Sequence, residues 1–326
     1  MASSLPLDAN SITAATQLLA AGDLVAFPTE TVYGLGADAR NANAVAKIFA
    51  AKGRPSFNPL ISHVASAEAA FALGQETDIA RTLAAAFWPG PLTLILHRAD
   101  SCPIALLTSA GLDKIGVRVP AHPGAQQLLQ AFDGPIAAPS ANPSGQISPS
   151  RAAHVVAGLG DNVPLILDDG PCESGIESTI VDCTGPIAVI LRPGGITRMA
   201  ISAALSAAGL ASMAEAGAPI IDQHSPASPG QMESHYAPTK PVRLNVTTPE
   251  PDDELIGFGP ISGKGELELN LSQSGDLAEA AANLFEMLHA ADASRQAAVA
   301  IAPIPHEGLG EAINDRLSRA AAPRPA

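Results

Sequence analysis

The sequence predicts an α/β protein in two parts. A large, mixed and twisted sheet with helices comes first, and a smaller α/β unit follows a linker. Three observations carry this. Short apolar, β-branched runs alternate with alanine-rich helical runs up to about residue 200. Residues 210–241 lose that periodicity and become rich in Pro, Ser, Gly and Ala. The alternation then resumes to the end of the chain. The expected limits are 7–207, 208–241 and 242–326, the last unit being at the lower end of usual domain sizes.

Each element has its own signal. Asn10 or Ser11 is placed to cap a helix over 12–21, which Gly22 closes. Leu24–Phe27 reads as a buried strand that Pro28 stops. Residues 42–51 read as a helix that Gly53 and Pro55 break. A strand over 59–64 and helices over 67–73 and 78–87 follow. Trp88-Pro89-Gly90-Pro91 is a rigid turn, and its tryptophan either packs beside it or stacks on a ligand. Strands are expected over 92–96, 114–119 and 135–138, with a helix over 125–131 between the last two. A helix over 151–159 and strands ending at Asp169, Asp182 and Leu191 complete the first part. In the second part, strands begin at Val242, Leu255 and Ala298. Helices over 276–291 and 309–321 flank the last strand; the first carries Leu277, Ala281, Leu284 and Leu288 on one face.

Residues 27–63 concentrate chemistry. Thr29, Glu30, Thr31, Tyr33, Lys52, Arg54, Asn58 and His63 surround one short helix, and Gly34 and Gly36 permit close backbone approach. A polar strand end, a helix and a basic loop suit an anionic small molecule. The same residues also serve as turn chemistry and as cations at a helix C-terminus. Arg118 sits mid-strand, on a solvated face or pointing into a site. The loop 139–148 is rich in hydroxyls and amides that suit phosphate or carboxylate oxygens, or form an ordinary turn cluster. Asp168-Asp169 reads as a magnesium pair or a strand-end turn. GPISGKG (259–265) imitates a phosphate loop. Its glycine spacing is one short, and Gly265 stands where a Ser/Thr is required, so it is rejected.

Composition limits the rest. The net charge of −14 argues against a general polyanion binder but leaves room for a local basic pocket. Three cysteines without a CxxC pair suggest a reducing compartment, with no disulfide framework and no zinc site. The N-terminus lacks the pattern of a signal peptide, and no apolar run approaches the ~20 residues of a membrane span. The expected location is cytoplasmic.

PTETVYGLG (28–36), KGRP (52–55) followed by NPL, GVRVP (116–120), SANPSG (140–145) and SPG…HYAP (228–238) occur in this order. Together they resemble the YrdC-like threonylcarbamoyl-AMP synthases in their two-domain long form. The resemblance covers residues from about 7 to 205 as the catalytic domain, then the linker motif and the C-terminal unit. It implies an open, twisted YrdC-like α/β sheet with a concave cavity, plus a smaller Rossmann-like domain. It also implies a nucleotidyltransferase that joins L-threonine, bicarbonate and ATP into threonylcarbamoyl-AMP and pyrophosphate, with Mg²⁺ accompanying ATP. The product then passes to proteins that modify tRNA, without strong direct nucleic-acid binding by this chain.

By position, the resemblance puts Thr31, His63, Arg118, Ala138 and Ser178 at threonine. It puts Arg54, Asn58, Lys114, Ser140, Ser148, Arg192 and Tyr236 at ATP. Lys52, Arg54, Ser140 and Asn142 carry catalysis by neutralising and hydrogen-bonding the phosphates, with no metal ligands assigned. Met232 and Glu233 depart from the family's pattern. A carboxylate there repels a triphosphate unless magnesium intervenes. The linker is expected to close over the site during chemistry. Two other classes share the domain: an RNA-binding module, against which the acidic charge weighs, and the carbamoyl-transfer domain of hydrogenase-maturation proteins. The zinc fingers of the latter need CxxC pairs that this chain lacks.

Overall fold

The computed structural model describes residues 3–211, 234–260 and 269–323. Met232, Glu233 and the SPGQ segment before them lie outside the described residues, as do positions 261–265 of GPISGKG. In chain order the first part runs β1 (Ser3–Pro6), α1 (Ala9–Ala20), β2 (Val25–Phe27), β3 (Gly34–Asp38), α2 (Ala42–Lys52) and β4 (Ile61–His63). It continues with α3 (Ala67–Leu73), α4 (Asp78–Phe87), β5 (Leu92–His97), β6 (Lys114–Arg118), α5 (Pro123–Phe132) and β7 (Ile136–Ala137). It ends with α6 (Ala152–Leu159), β8 (Leu165–Asp168), β9 (Thr179–Asp182), β10 (Val189–Arg192) and α7 (Arg198–Ala207). The second part is β11 (Val242–Arg243), β12 (Asp253–Ile256), α8 (Leu277–Ala293), β13 (Ala298–Ile301) and α9 (Gly310–Ala321).

The first ten strands form one mixed sheet in the order β1-β8-β2-β3-β7-β4-β6-β5-β9-β10. Helices cover both faces, and the period of two along each strand assigns side chains to them. Val25 and Phe27 join Leu19 of α1 and Leu128 of α5 on one side. Ala26 between them faces Val45 and Ile48 of α2 on the other. The α/β class with a mixed sheet is therefore as expected. The second part is a three-stranded parallel sheet, β11-β13-β12, whose core is Ile256, Leu284, Leu288, Val299, Ile301, Ile313 and Leu317. That core also takes in Val32, Ile147 and Ile176 from the first part, so the two units share apolar surface.

Several details differ from expectation. Asp8, not Asn10 or Ser11, caps α1: its carboxylate accepts from the Ser11 amide while the Ser11 hydroxyl accepts from the Asp8 amide. Residues 34–38, for which no strand is expected, form β3. Its glycines lower strand propensity, yet a Cβ at Gly36 would meet Ile136 and Phe27 at 2.9 Å, so the sheet's packing requires glycine there. β1 and α7 were not anticipated. β1 is a short polar strand ending in proline, and it sits at the sheet edge. Trp88 packs: its indole N–H donates to the Leu92 carbonyl at 2.7 Å and its ring lies 6.2 Å from Phe71. Asp168 makes a turn, accepting from the Gly170 amide at 3.0 Å.

Candidate functional site

Sheet register builds one wall of the site. β4 and β6 run parallel with His63 opposite Arg118, so two residues far apart in sequence become neighbours. β5 pairs antiparallel with β6, placing Thr93 opposite Arg118. Ser178, just before β9, shares a 2.7 Å hydroxyl hydrogen bond with Thr93. Between β2 and β3, the Thr29 hydroxyl donates to the Val32 carbonyl at 2.7 Å and lies 2.8 Å from the Thr31 hydroxyl. This local turn faces Thr31 into the same space. Ala138 follows β7, and its amide donates to the Ile61 carbonyl at 2.9 Å.

The opposite wall is cationic. Gly53 ends α2 in a left-handed conformation (φ 59°), which turns Arg54 back beneath the sheet. Arg54 donates to the carbonyls of Asn58 and Pro59 at 3.2 and 2.9 Å. Arg192, at the end of β10, donates to the Ser178 carbonyl and hydroxyl. Lys52 is buried behind the loop 139–148, and its ammonium donates to Ser140 O at 2.5 Å, to Asn142 O and to Asn142 Oδ1 at 3.4 Å. Three N–H donors meet three oxygens, so Lys52 ties the loop down.

A cavity of about 50 Å³ lies between these walls. Among the described residues it is lined by Thr31, His63, Arg118, Ala138, Ser178, Arg54, Ser140, Arg192 and Tyr236 from the expected set, and also by Glu177 and His235. Ser148, Asn142, Lys52 and Asn58 stand behind the lining. Asn142 turns its amide back to the Gln146 carbonyl at 2.8 Å. Lys114 is not brought to the cavity: it begins β6, four residues from Arg118, and pairs with Asp182 at 3.1 Å. Residues 234–237 close the far side. The His235 amide donates to the Arg319 carbonyl of α9, and the Ala237 amide to the Gly145 carbonyl. Tyr236 has a left-handed backbone (φ 62°) and lies against Phe285 of α8.

The electrostatics follow from burial. Burial, with Arg118 nearby, lowers the His63 imidazole to about 3, so it is neutral at physiological pH. His235 is held well below its ordinary value by burial and by the surrounding arginines and Lys52. Burial lowers the Arg54 guanidinium to about 10, with Arg192 adding to the effect. Burial pushes the Glu30 carboxyl up, but Arg118 at 2.7 Å outweighs it and holds the carboxyl low. Burial also pushes the Cys172 thiol up to about 12, which removes it as a ready nucleophile. Neither Lys52 nor Arg54 has a carboxylate within salt-bridge distance among the described residues. The cavity thus suits a polyanion beside a small amino acid whose carboxylate meets a guanidinium. Glu177, His235 and Arg316 were missing from the expected set. His235 stands in the HYAP motif and Arg316 is an arginine on the apolar face of a helix, whereas Glu177 carried no such signal.

Comparison with known proteins gives concordant results. The family profile described as "Telomere recombination" matches residues 17–194, and that of "Threonylcarbamoyl-AMP synthase, C-terminal domain" matches 196–322. Threonylcarbamoyl-AMP synthase of Bacillus subtilis is 39% identical over 96% of this chain and 93% of its own length. That of Pyrococcus abyssi is 39% identical over 92% of this chain and 90% of its own. The crystal structure of P. abyssi Sua5 complexed with L-threonine superposes with a TM-score of 0.84 at 34% identity, covering 98% of this chain and 97% of that one. Escherichia coli YciO, at 23% identity and a TM-score of 0.54, shares the fold over 60% of this chain.

Proposed function

The chain belongs to the threonylcarbamoyl-AMP synthase family in its two-domain form, and on that footing we propose how its cavity does the family's work. The protein is an AMP-transferring enzyme that makes threonylcarbamoyl-AMP for tRNA modification. L-Threonine is the amino-acid substrate. We assign ATP and bicarbonate as the other two, a cytoplasmic location, and a downstream tRNA-modifying protein as the consumer of the product. No helix among the described residues is long and apolar enough to cross a membrane. The expected unit limits of 7–207, 208–241 and 242–326 remain our working division.

The observation that carries the reading is the pairing of two unlike walls around one cavity. On one side Arg118, His63, Thr31 and Ser178 meet through strand register. Arg118 takes the threonine carboxylate, while the hydroxyls and neutral imidazole read its hydroxyl and amine. On the other side Arg54, Arg192 and the loop at Ser140 take the phosphates. The neutral threonine amine attacks CO₂ with loss of a proton, or bicarbonate with loss of water, to give a carbamate. A carbamate oxygen then attacks the α-phosphorus, and pyrophosphate leaves. Arg54 and Arg192 neutralise charge as it moves to the leaving group. Lys52 and Asn142 serve by holding the loop. No covalent enzyme intermediate is required.

Magnesium fits only as the companion of ATP. Among the described residues no three His, Cys, Asp or Glu side chains converge on a metal position. A magnesium ion would therefore be held by phosphate oxygens and water, where it neutralises phosphate charge. The cavity as seated is also far smaller than the ~300–1,000 Å³ of usual ligand pockets. Calorimetric titration with L-threonine, L-serine and D-threonine tests the amino-acid wall: selective binding of L-threonine supports it, and equal binding of all three overturns it.

A further inference from the structure

Arg316 sits on the apolar face of α9, among the buried Ile313, Leu317 and Ala320. A cation in such a place is costly unless its donors are matched. Arg316 is 0% exposed. Its Nε donates to Glu177 Oε2 at 2.8 Å and its Nη1 to Asp315 Oδ2 at 2.6 Å. Its guanidinium carbon lies 5.2 Å from the Tyr236 ring centroid. The other Glu177 oxygen, Oε1, accepts from the Ser148 hydroxyl at 2.6 Å. Three segments thus form one chain of contacts, from the C-terminal unit to the loop 139–148.

Two consequences follow. Among the described residues that line the cavity, Glu177 is the one carboxylate. Left uncompensated it would repel a polyphosphate, and Arg316 supplies the opposite charge. The Ser148 hydroxyl donates to Glu177 and Ser148 is itself fully buried, so this bond pins the loop 139–148 to the cavity wall.

We propose that Arg316 is a positioning residue of the nucleotide site. By holding Glu177 it fixes Ser148, and with it the loop 139–148 whose Ser140 lines the cavity, and so ties the nucleotide site to the C-terminal unit. This rests on the reading that Ser148 belongs to the nucleotide site.

Pyrophosphate-release kinetics, with ATP and threonine varied separately, test the proposal on the full chain. The variants are Ser148→Ala, Arg316→Met and the pair together. Each single change is expected to raise the KM for ATP about tenfold, the scale of one hydrogen bond to a charged group. The KM for threonine should stay within about twofold, and the double variant should be no worse than the poorer single one, because both break one chain. Should thermal melting show that Arg316→Met does not fold, Arg316→Lys runs through the same cycle. It keeps the charge but loses the Nε–H that reaches Glu177. Multiplicative effects in the double variant, or a rise shared equally by both substrates, overturn the proposal. If Ser148→Ala leaves the KM for ATP unchanged, the nucleotide reading of Ser148 itself fails and the inference falls with it. If Ser148→Ala raises it and neither Arg316 variant does, only the inference falls.

Discussion

Glu30 Oε1 lies 2.7 Å from Arg118 Nη2, and both side chains are buried beside the cavity. The pair leaves Glu30 Oε2 and Arg118 Nε buried without a hydrogen-bond partner among the described residues. Glu30 therefore orients the guanidinium from one side and leaves donors for a substrate carboxylate on the other. Arg118→Ala removes those donors and strands a buried carboxylate. The KM for threonine should rise by a factor of about 100, with the KM for ATP little changed. Glu30→Gln keeps the shape and should raise the threonine KM by a smaller factor. Steady-state kinetics with each substrate varied in turn check both.

Lys52 acts through the loop it holds. Lys52→Met leaves the carbonyl oxygens of Ser140 and Asn142 without their buried donor. The expected cost is about 2 kcal/mol, for buried acceptors that lose a charged donor. Differential scanning calorimetry should show a melting temperature lower by several degrees, along with lost activity. A variant that melts like the parent but is inactive would instead give Lys52 a direct role at the phosphates.

Thr93 lies behind the threonine wall, and its hydroxyl is 2.7 Å from that of Ser178. Thr93→Val preserves volume but frees the Ser178 hydroxyl to rotate. The threonine KM should rise about fivefold, within the usual worth of one neutral hydrogen bond. The KM for ATP should not move. Equal changes in both would place Ser178 elsewhere in the reaction.

His154 of α6 and His289 of α8 stack at 3.8 Å between ring centroids, joining the two units. Burial, with His289 beside it, lowers His154 to about 4, and burial also lowers His289. Glu286 at 3.7 Å and Arg151, which pairs with Glu286, face the same place, and the His289 ring lies 3.2 Å from the Ser148 carbonyl. Between pH 4 and 6.5 the unfolded chain binds a proton at His154 that the folded chain excludes. Stability therefore rises with pH across that window and is lost as the solution is acidified from 6.5 towards 4. His63 and His235, also lowered, act in the same direction. Melting temperatures measured from pH 7 to 4.5 should fall, and His154→Gln should fall less steeply than the parent. An unchanged slope would remove His154 from the account.

How much of this was readable in the chain depends on whether a signal was local. The helices 67–73 and 78–87 are found where their alanine-rich runs and flanking breakers put them. β3 was hidden, because its Gly36 is dictated by Ile136 and Phe27 across the sheet rather than by strand propensity. The site shows the same division. Thr31, Arg54, Arg118 and Ser140 stand in short motifs, and the structure brings them to one cavity. Lys114 also stands beside a motif, but register carries it to the far end of β6 and to Asp182. Glu177 gave no periodic or spacing cue, since its partner Arg316 reaches it only when α9 packs against the first unit, whereas His235 stood in the HYAP motif. Tyr33 carries an obvious phenol, yet its hydroxyl donates to the Gly170 carbonyl at 2.7 Å and serves the fold.

The central claim is that this cavity joins threonine, a one-carbon unit and an adenylate. The most direct measurement is pyrophosphate release from ATP by the purified chain, with threonine and bicarbonate each present or withheld, and mass analysis of the adenylate formed. The account predicts release that requires both and a product with the mass of threonylcarbamoyl-AMP. Release that is absent, or indifferent to threonine, would contradict it.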